Sequence, residues 1–439
     1  MHNGIYMFCC LLTLFLLLFI TWRSNRPGII TLCFVTQWTQ VVTFVIWMNV
    51  YGVDINYLSK HGGTAVICSC IGLLVTASTI TLGIKSLPVA SWEQFNNQAK
   101  LINEKKLLFL YLYSTLFLGS LGLALGFNSG FSQILLTLSS VKWVFFLVLG
   151  YVSWINKKNR VLMIGIILFE FVSGFYSYFS SFKEVILYTI VFALTFIRNL
   201  SFKQFFYSML AVVVLGFILL TWTSIKGEYR NFISNGKAQQ VVEVSKTEAF
   251  GKIGTELSEL TWEKYQVAIN GFLYRLQYTL HMAYVMDRVP EMMPYEEGNL
   301  WWENISFVLK PRLFFPDKGT FDATSKTNKY TGLHFSGYSK GASFSIPYYV
   351  DGYIDFGYVG MFIPLILLGL YIVLIYRTFY MFKKLNLLIR FAFVNVVLYD
   401  FFSFEADGLY LFGRLTLLWI VFFFFSRFVF PRIQAWLYK

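Results

Sequence analysis

Basic side chains are numerous between residues 226 and 353, and several of them have the chemistry to hold a phosphate group. An arginine guanidinium binds phosphate through two parallel hydrogen bonds and stays charged at any physiological pH. A group of arginines and lysines therefore suits a pyrophosphate. The competing explanation for each residue is ordinary surface charge, or a long side chain that reaches toward lipid headgroups. The candidate binding residues are Lys226, Arg230, Arg275, Arg288, Arg312, Lys318, Lys340 and Arg414.

Carboxylates and a histidine in the same region are candidate general bases. A base must lie within hydrogen-bonding reach of the hydroxyl that it deprotonates, and a carboxylate with a raised pKa at a partly dry site would serve. We expect Asp351 to take this role, with His334 and Glu228 as alternatives. A lone histidine such as His334 is more often a packing or surface residue.

Four ionisable residues, Glu170, Asp355, Asp400 and Arg414, fall inside apolar stretches. Ionised groups are costly in hydrocarbon, so they tend to face a cavity or each other. Asp400 and Arg414 lie close in sequence to Glu405 and Asp407, and these four side chains are placed to line one cavity. A buried ion pair of Arg414 with Asp400 or Glu405 is an equally good explanation.

Several kinds of site are missing from the sequence. It contains no phosphate-binding loop, dinucleotide fingerprint, nucleophile-elbow serine or zinc signature. The five cysteines lie in or near apolar stretches without ligand spacing, and the four histidines form no metal-like group. The sequence therefore predicts no cofactor and no metal, and an ATP-driven pump is disfavoured.

The composition excludes a soluble protein. Of 439 residues, 57% are hydrophobic and only 13% are charged, with a mean hydropathy of +0.59; soluble domains carry about 25% charged residues. Apolar stretches long enough to cross a bilayer recur along the chain. We predict an all-α integral membrane protein with about eleven transmembrane helices (ten to twelve), over residues 4–22, 28–52, 64–84, 107–126, 135–155, 161–182, 184–198, 205–225, 354–376, 387–402 and 409–428.

The distribution of basic residues predicts the orientation. With the N-terminus outside, 18 lysines and arginines fall at cytoplasmic ends of the predicted spans, whereas only Lys60, Lys142 and Lys183 fall at the short outer loops. This is the positive-inside pattern. The formal net charge of +13 is thus a sign of membrane topology, and nucleic-acid binding is not implied.

One long connection interrupts the spans. Residues 226–353 separate spans 1 to 8 (residues 1–225) from spans 9 to 11 (residues 354–439) and carry 14 basic and 14 acidic side chains. Loops of this length are usually functional. We predict that this large loop is periplasmic and carries the site. Apolar residues at helical spacing predict a helix over residues 255–289, ended by Pro290, and an irregular lid from Gly298 onward.

Motifs in this order resemble the bacterial oligosaccharide repeat-unit polymerases, which include the O-antigen and exopolysaccharide polymerases. The resemblance rests on the late large loop and on short motifs. The motifs are Gly174-Phe-Tyr-Ser-Tyr-Phe-Ser-Ser-Phe-Lys183, Lys226-Gly-Glu-Tyr-Arg230, Glu297-Gly-Asn-Leu, Lys310-Pro-Arg312, Pro316-Asp-Lys318 and Asp351-Gly-Tyr-Ile-Asp-Phe-Gly357-Tyr-Val-Gly360. Some family members carry an Arg-x10-Gly pattern, and Arg288 to Gly298 is one residue shorter here.

The resemblance implies a glycosyltransferase of the bacterial inner membrane. Such an enzyme moves a growing glycan from undecaprenyl pyrophosphate to the terminal sugar of a lipid-linked repeat unit, on the periplasmic face. Its partners would be these lipid-linked oligosaccharides and a chain-length regulator, with the C-terminus of the chain in the cytoplasm. A ligase that transfers finished glycan to lipid A core shares the layout. A flippase for lipid-linked oligosaccharides and a non-catalytic scaffold are further alternatives, although the unequal halves argue against the repeated bundles of a transporter.

Overall fold

A computed structural model describes residues 3–118, 130–176, 182–196, 201–236, 242–311, 314–315, 317–319, 321–336 and 343–438. These residues form α-helices joined by short turns, 3-10 and π segments, and they contain no strand. The predicted all-α class is therefore confirmed over the described part of the chain. The helices before the long connection are α1 Gly4–Thr21, α2 Ile29–Val50, α3 Gly62–Lys85, α4 Trp92–Lys100, α5 Glu104–Tyr113, α6 Gly130–Ser139, α7 Val141–Asn156, α8 Arg160–Ser173, α9 Phe182–Phe196 and α10 Phe202–Ile233.

The long connection is itself largely helical, and the last helices follow it. The helices of the connection are α11 Lys246–Ser258, α12 Trp262–Leu276, α13 Tyr278–Arg288, α14 Asn299–Val308 and α15 Ala323–Thr331. Those that follow are α16 Tyr348–Gly360, α17 Phe362–Tyr380, α18 Leu387–Val397, α19 Gly408–Phe424 and α20 Phe430–Tyr438.

Six helical stretches among the described residues are long and apolar enough to cross a membrane. They are Gly4–Thr21, Ile29–Val50, Gly62–Lys85, Gln133–Asn156, Phe362–Tyr380 and Gly408–Tyr438. This set is consistent with a multi-pass membrane protein. Helices also lie at other predicted spans, among them α10, but they are not part of this set, and the number of eleven spans stays a prediction.

Two of the predicted boundaries are wrong. The predicted span over 354–376 is broken near its start, because Gly357, inside α16, has a φ of +68° and a ψ of −164°, a non-helical conformation that kinks this helix before α17 begins. The predicted helix over 255–289 is three helices, α11 to α13, with breaks at residues 259–261 and at Gln277. Its predicted end is confirmed, since α13 stops at Arg288, two residues before Pro290. The expected irregular lid after Gly298 contains α14 and α15.

The helices of the long connection pack on the apolar bundle. Helix α13 lies against α2 and α3, and its Met282, Val285 and Met286 side chains belong to the same buried core as the bundle. Burial of such side chains stabilises each by about 1.5–3 kcal/mol. Residues 278–288 are therefore fixed to the bundle and do not form a detached module.

The bundle has two chemically different ends. At one end α1 stops, α2 starts and α3 stops, and Arg23, Arg26 and Lys85 gather there; we call it the basic end. At the other end the Asn3 side chain binds Val53 and Ile55, and the Tyr51 hydroxyl donates to Asn270 of α12. The long connection covers this second end, which we call the polar end.

Candidate functional site

A cavity of about 900 Å³ opens at the polar end. Its walls come from the end of α12, the start of α13, the start of α19 and the turn before α19. The ionisable side chains that line it are Arg275, Tyr278, Asp322, Asp400, Glu405, Asp407 and Tyr410. Of the four side chains that the sequence placed at one cavity, Asp400, Glu405 and Asp407 line it, whereas Arg414 is not among its lining residues.

Arg275 lines this cavity and belongs to a group of four cations whose charges act on one another, Lys183, Lys226, Arg230 and Arg275; we call it the cation group. Lys226 and Arg230 are one turn apart on α10, and Arg275 is in the last turn of α12. Burial, together with the charges of Arg275, Lys183 and Arg230, lowers the pKa of Lys226 to about 8. The helices thus bring together Lys226, Arg230 and Arg275, three residues that the sequence singled out, and Lys183, which it did not.

Two of the carboxylates that line the cavity are exposed, Glu405 and Asp322, and Asp322 is engaged by the Thr324 N–H at the start of α15. The Tyr278 hydroxyl donates a hydrogen bond of 2.9 Å to Glu405 Oε2. Burial, and then the Glu405 charge, raises the pKa of Tyr278 well above its ordinary value, so Tyr278 stays protonated and acts as a donor. Burial and then the Arg275 charge lower the pKa of Lys183, and the Glu405 charge opposes this lowering. Glu405 is therefore a lining carboxylate whose charge also reaches Lys183 of the cation group.

Asp400 has a cationic partner of its own. Arg414 Nε lies 3.0 Å from Asp400 Oδ2. Asp400 belongs to the 3-10 segment Tyr399–Phe402, and Arg414 belongs to α19. This is the ion pair that the sequence offered as one explanation of Arg414. The pairing neutralises Asp400, and it leaves Glu405 as the carboxylate best placed to meet a ligand.

A buried ion-pair network, formed by Lys326, Asp351 and Asp407, adjoins the cavity, which Asp407 also lines. Lys326 Nζ is 2.6 Å from Asp351 Oδ1 and 3.8 Å from Asp407 Oδ2. Asp351 is 0% exposed, Asp407 1% and Lys326 8%. Buried charges of this kind persist only when paired and hydrogen-bonded. The network ties α15, α16 and α19 together at the polar end.

Local sequence explains how these charges meet. Asp322 accepts from the Thr324 N–H and starts α15, so Lys326 falls in its second turn. Asp407 accepts from the Tyr410 N–H and caps the start of α19. The N–H of Gly408 donates to Asp351 Oδ2 at 3.1 Å. A side chain at Gly408 would come within 2.5 Å of that oxygen, so this close approach requires glycine.

Asp351 differs most from its expected role. Its Oδ2 atom also accepts from Asn304 at 3.0 Å, so both carboxylate oxygens are bound inside the protein. A fully enclosed, ion-paired carboxylate does not face a substrate hydroxyl. One turn later, Asp355 accepts from the Leu300 and Trp301 N–H groups and caps α14 from another helix.

The remaining predicted residues lie apart from the cavity. Glu228 is exposed beside Glu256 of α11, and His334 is exposed. Arg288 packs against Gly332 at the end of α15. The Lys318 ammonium donates to the Lys310 carbonyl at 2.9 Å, beside a separate hollow of about 470 Å³. Two further predicted residues, Arg312 and Lys340, lie outside the described residues.

Sequence reasoning missed Lys326 and Asn304 as partners of Asp351. Lys326 sits in a polar stretch with several other lysines, and nothing in its own spacing distinguishes it from surface charge. The pair of aspartates at 351 and 355 on an otherwise apolar helix could have indicated that such partners exist, since each aspartate needs one when buried.

The fold and this site define an all-helical protein with several helices fit to cross a membrane and a charged cavity at one end of the bundle. The chain belongs to the family described as a domain of unknown function (DUF8712), whose match covers residues 31–383. The matched region contains the cation group and Asp351, and it ends before Asp400, Glu405 and Asp407. No curated protein and no solved structure matches the chain.

Proposed function

We propose that this protein is a membrane glycosyltransferase that polymerises lipid-linked oligosaccharide repeat units, such as those of O-antigen or a related surface polysaccharide. The observation that carries the proposal is the cation group beside a cavity with an exposed carboxylate, Glu405. Phosphate recognition needs such a concentration of positive charge, and glycosyl transfer needs a carboxylate near it. The unequal arrangement of helices around the long connection favours an enzyme over a transporter built from repeats.

In this proposal the protein spans the bacterial inner membrane about eleven times, with the long connection in the periplasm. Lysines and arginines at the basic end mark the cytoplasmic side under the positive-inside rule. The N-terminus is then periplasmic and the C-terminus cytoplasmic. Undecaprenyl-pyrophosphate-linked oligosaccharides reach the cavity from the outer leaflet, and a chain-length regulator acts beside it.

The proposed reaction breaks one bond and forms one bond at an anomeric carbon. The hydroxyl oxygen of the acceptor sugar attacks the anomeric carbon of the growing glycan, while the bond from that carbon to the pyrophosphate oxygen breaks. The pyrophosphate leaves with the bonding electron pair, and the hydroxyl proton moves to a carboxylate. Lys226, Arg230 and Arg275 meet the negative charge that develops on the leaving group.

We assign the base role to Glu405 in preference to Asp351. Glu405 is exposed within the cavity, and among the described residues its Oε1 atom carries no hydrogen bond. Asp351 is enclosed by Lys326 and Asn304 and serves to position α16 against α15 and α19. His334 and Glu228 are both exposed outside the cavity lining, which makes them weaker candidates than Glu405.

The test compares variants in a strain whose own copy of the gene is deleted, with surface glycan resolved on gels. Removal of one preorganised donor from a developing anion costs about 100- to 1,000-fold in rate, so Arg275→Gln should shorten or abolish the polymer, while Arg275→Lys retains part of it. Glu405→Gln should reduce polymer by about 100-fold or more, as expected for loss of a general base.

Lys329→Gln is the matched control, because Lys329 is an exposed lysine of the long connection that pairs with Glu296 away from the cavity. It should leave polymer length unchanged. Each variant must elute as a single species of the parent's size. If Arg275→Gln and Glu405→Gln both give parental polymer, the proposed function is wrong.

The deletion strain separates the alternatives. Loss of a polymerase leaves lipid A core capped by a single repeat unit, whereas loss of a ligase leaves bare core. Loss of a flippase strands repeat units on the cytoplasmic side. Reporter fusions within residues 246–308 test the orientation, and a cytoplasmic signal there would overturn the proposal.

A further inference from the structure

A second cavity, of about 760 Å³, lies at the basic end, on the far side of the bundle from the candidate site. It is bounded by the end of α1, the start of α2 and the end of α3. Three of its lining residues, Arg23, Arg26 and Lys85, are charged, and none of the described lining residues is acidic. The cavity is therefore a concentration of positive charge without an internal counter-charge.

Arg26 is a buried cation held in a fixed position in this cavity. It is 8% exposed, yet no carboxylate pairs with it among the described residues. Its guanidinium donates to the Ile84 carbonyl at 2.8 Å and to the Leu87 carbonyl at 2.9 Å, at the end of α3. These carbonyls orient the group, but they do not cancel a full charge. A buried guanidinium held in this way presents a fixed positive charge to whatever enters the cavity.

Arg23 and Lys85 complete the charge at the cavity mouth. Both are exposed, and neither has an ion pair among the described residues. Like charges that converge on one cavity repel unless an anion lies between them. Flexible side chains such as these are free to close on a phosphate.

The opposite wall of the cavity is apolar and exposed. Phe19 is 67% exposed and Leu82 is 68% exposed, and both line the cavity. Helix α1 is largely uncovered, with only 17% of its apolar window buried inside the protein. A ligand that fills this cavity therefore meets positive charge at one end and an apolar surface that continues along the bundle.

We propose that the cavity between Arg23, Arg26 and Lys85 binds an anionic phospholipid. The phosphate lies between these three cations, and an acyl chain runs along Phe19 and Leu82. A phosphate ester without an acyl chain shares the charge but leaves the apolar wall uncovered. This site is independent of the glycosyltransferase proposal, because it lies at the other end of the bundle.

The experiment is a native mass spectrometry titration of the full chain in uncharged detergent. The probes are phosphatidylglycerol, phosphatidylcholine and glycerol 3-phosphate, each added alone. We expect one phosphatidylglycerol to bind at least about tenfold tighter than phosphatidylcholine, whose headgroup cation offsets the phosphate charge, and at least about tenfold tighter than glycerol 3-phosphate, which has no acyl chain to cover the apolar wall. The variant Arg23→Gln/Lys85→Gln should lose this preference by about tenfold or more, since both residues are exposed and hold no part of the fold.

The control is Lys105→Gln/Lys158→Gln, which removes two exposed charges elsewhere on the chain. It should keep the parental preference. The proposal is overturned if the Arg23→Gln/Lys85→Gln variant binds phosphatidylglycerol like the parent, or if both double variants lose binding equally, which would indicate general attraction to charged lipid. Equal binding of glycerol 3-phosphate would also overturn it, because the ligand would then be a soluble phosphate ester.

Discussion

The buried network of Lys326, Asp351 and Asp407 allows a quantitative prediction about stability. Lys326→Met keeps the length of the side chain but removes the charge that faces two aspartates, at 2.6 and 3.8 Å. Removal of one partner from a buried ion pair leaves an uncompensated charge and costs about 3–5 kcal/mol. We therefore expect the free energy of unfolding to fall by about that amount.

The same variant should show a characteristic pH dependence. Burial raises the pKa of Asp407 above its ordinary value, and the Lys326 charge opposes that rise. Without Lys326, the folded variant holds a proton on Asp407 at pH values where the unfolded chain has lost it. The folded state then binds more protons than the unfolded state, so the free energy of unfolding falls as pH rises. The deficit of Lys326→Met should therefore grow from the ordinary carboxyl range toward neutral pH.

The measurement is reversible unfolding in mixed micelles, by titration with sodium dodecyl sulfate at two pH values. Lys329→Met is the matched control on the same helix, because its side chain is 53% exposed and its pair with Glu296 is a surface one. Such pairs contribute about 0–1 kcal/mol. The double variant Lys326→Met/Asp351→Asn should recover part of the loss. Equal unfolding free energies for Lys326→Met and Lys329→Met at neutral pH would refute the reasoning.

Three further predictions concern single side chains at the polar end. Burial lowers the pKa of His281 to about 4; since its unfolded value is near 6.5, stability is lost as pH falls between these values, by up to about 3 kcal/mol, and His281→Phe should flatten that part of the unfolding curve. Lys226 has a pKa of about 8, lowered by burial and then by the charge of Arg275. Arg275→Gln should raise this pKa, and pulsed acetylation with mass spectrometry at several pH values would detect the rise as slower labelling of Lys226 near pH 8. An unchanged labelling profile would show that Arg275 does not act on Lys226. Asp355→Ala leaves two buried N–H groups of α14 without an acceptor and should cost about 1–3 kcal/mol in the same unfolding assay, with Asp355→Asn less affected.

The sequence predicted the helical class and the positions of most helices because apolar runs bounded by charge are a direct consequence of burial in a low-dielectric medium. It could not place the kink within α16, where a Cβ at Gly357 would come within 2.9 Å of Tyr295, because this close approach is a tertiary contact that no local pattern encodes. Nor could it divide residues 255–289, where the apolar spacing continues across Gln277 although the helix does not.

The site was predictable in its parts and not in its arrangement. Lys226 and Arg230 are four residues apart, so their common face follows from helix geometry. Their approach to Arg275 depends on how α10 packs against α12, which no local pattern encodes. Asp351 shows the limit most clearly: its sequence position suggested an accessible base, and its partner Lys326, 25 residues earlier, encloses it.

The cation group also affects the spacing of the helices that carry it. Its side chains come from three helices, α9, α10 and α12, and like charges held near each other push these helices apart. A doubly charged anion between them reverses the direction of that force and draws the helices inward. Under the proposed function, a bound lipid pyrophosphate would therefore draw these helices together, and this effect would weaken as dissolved salt shields the charges.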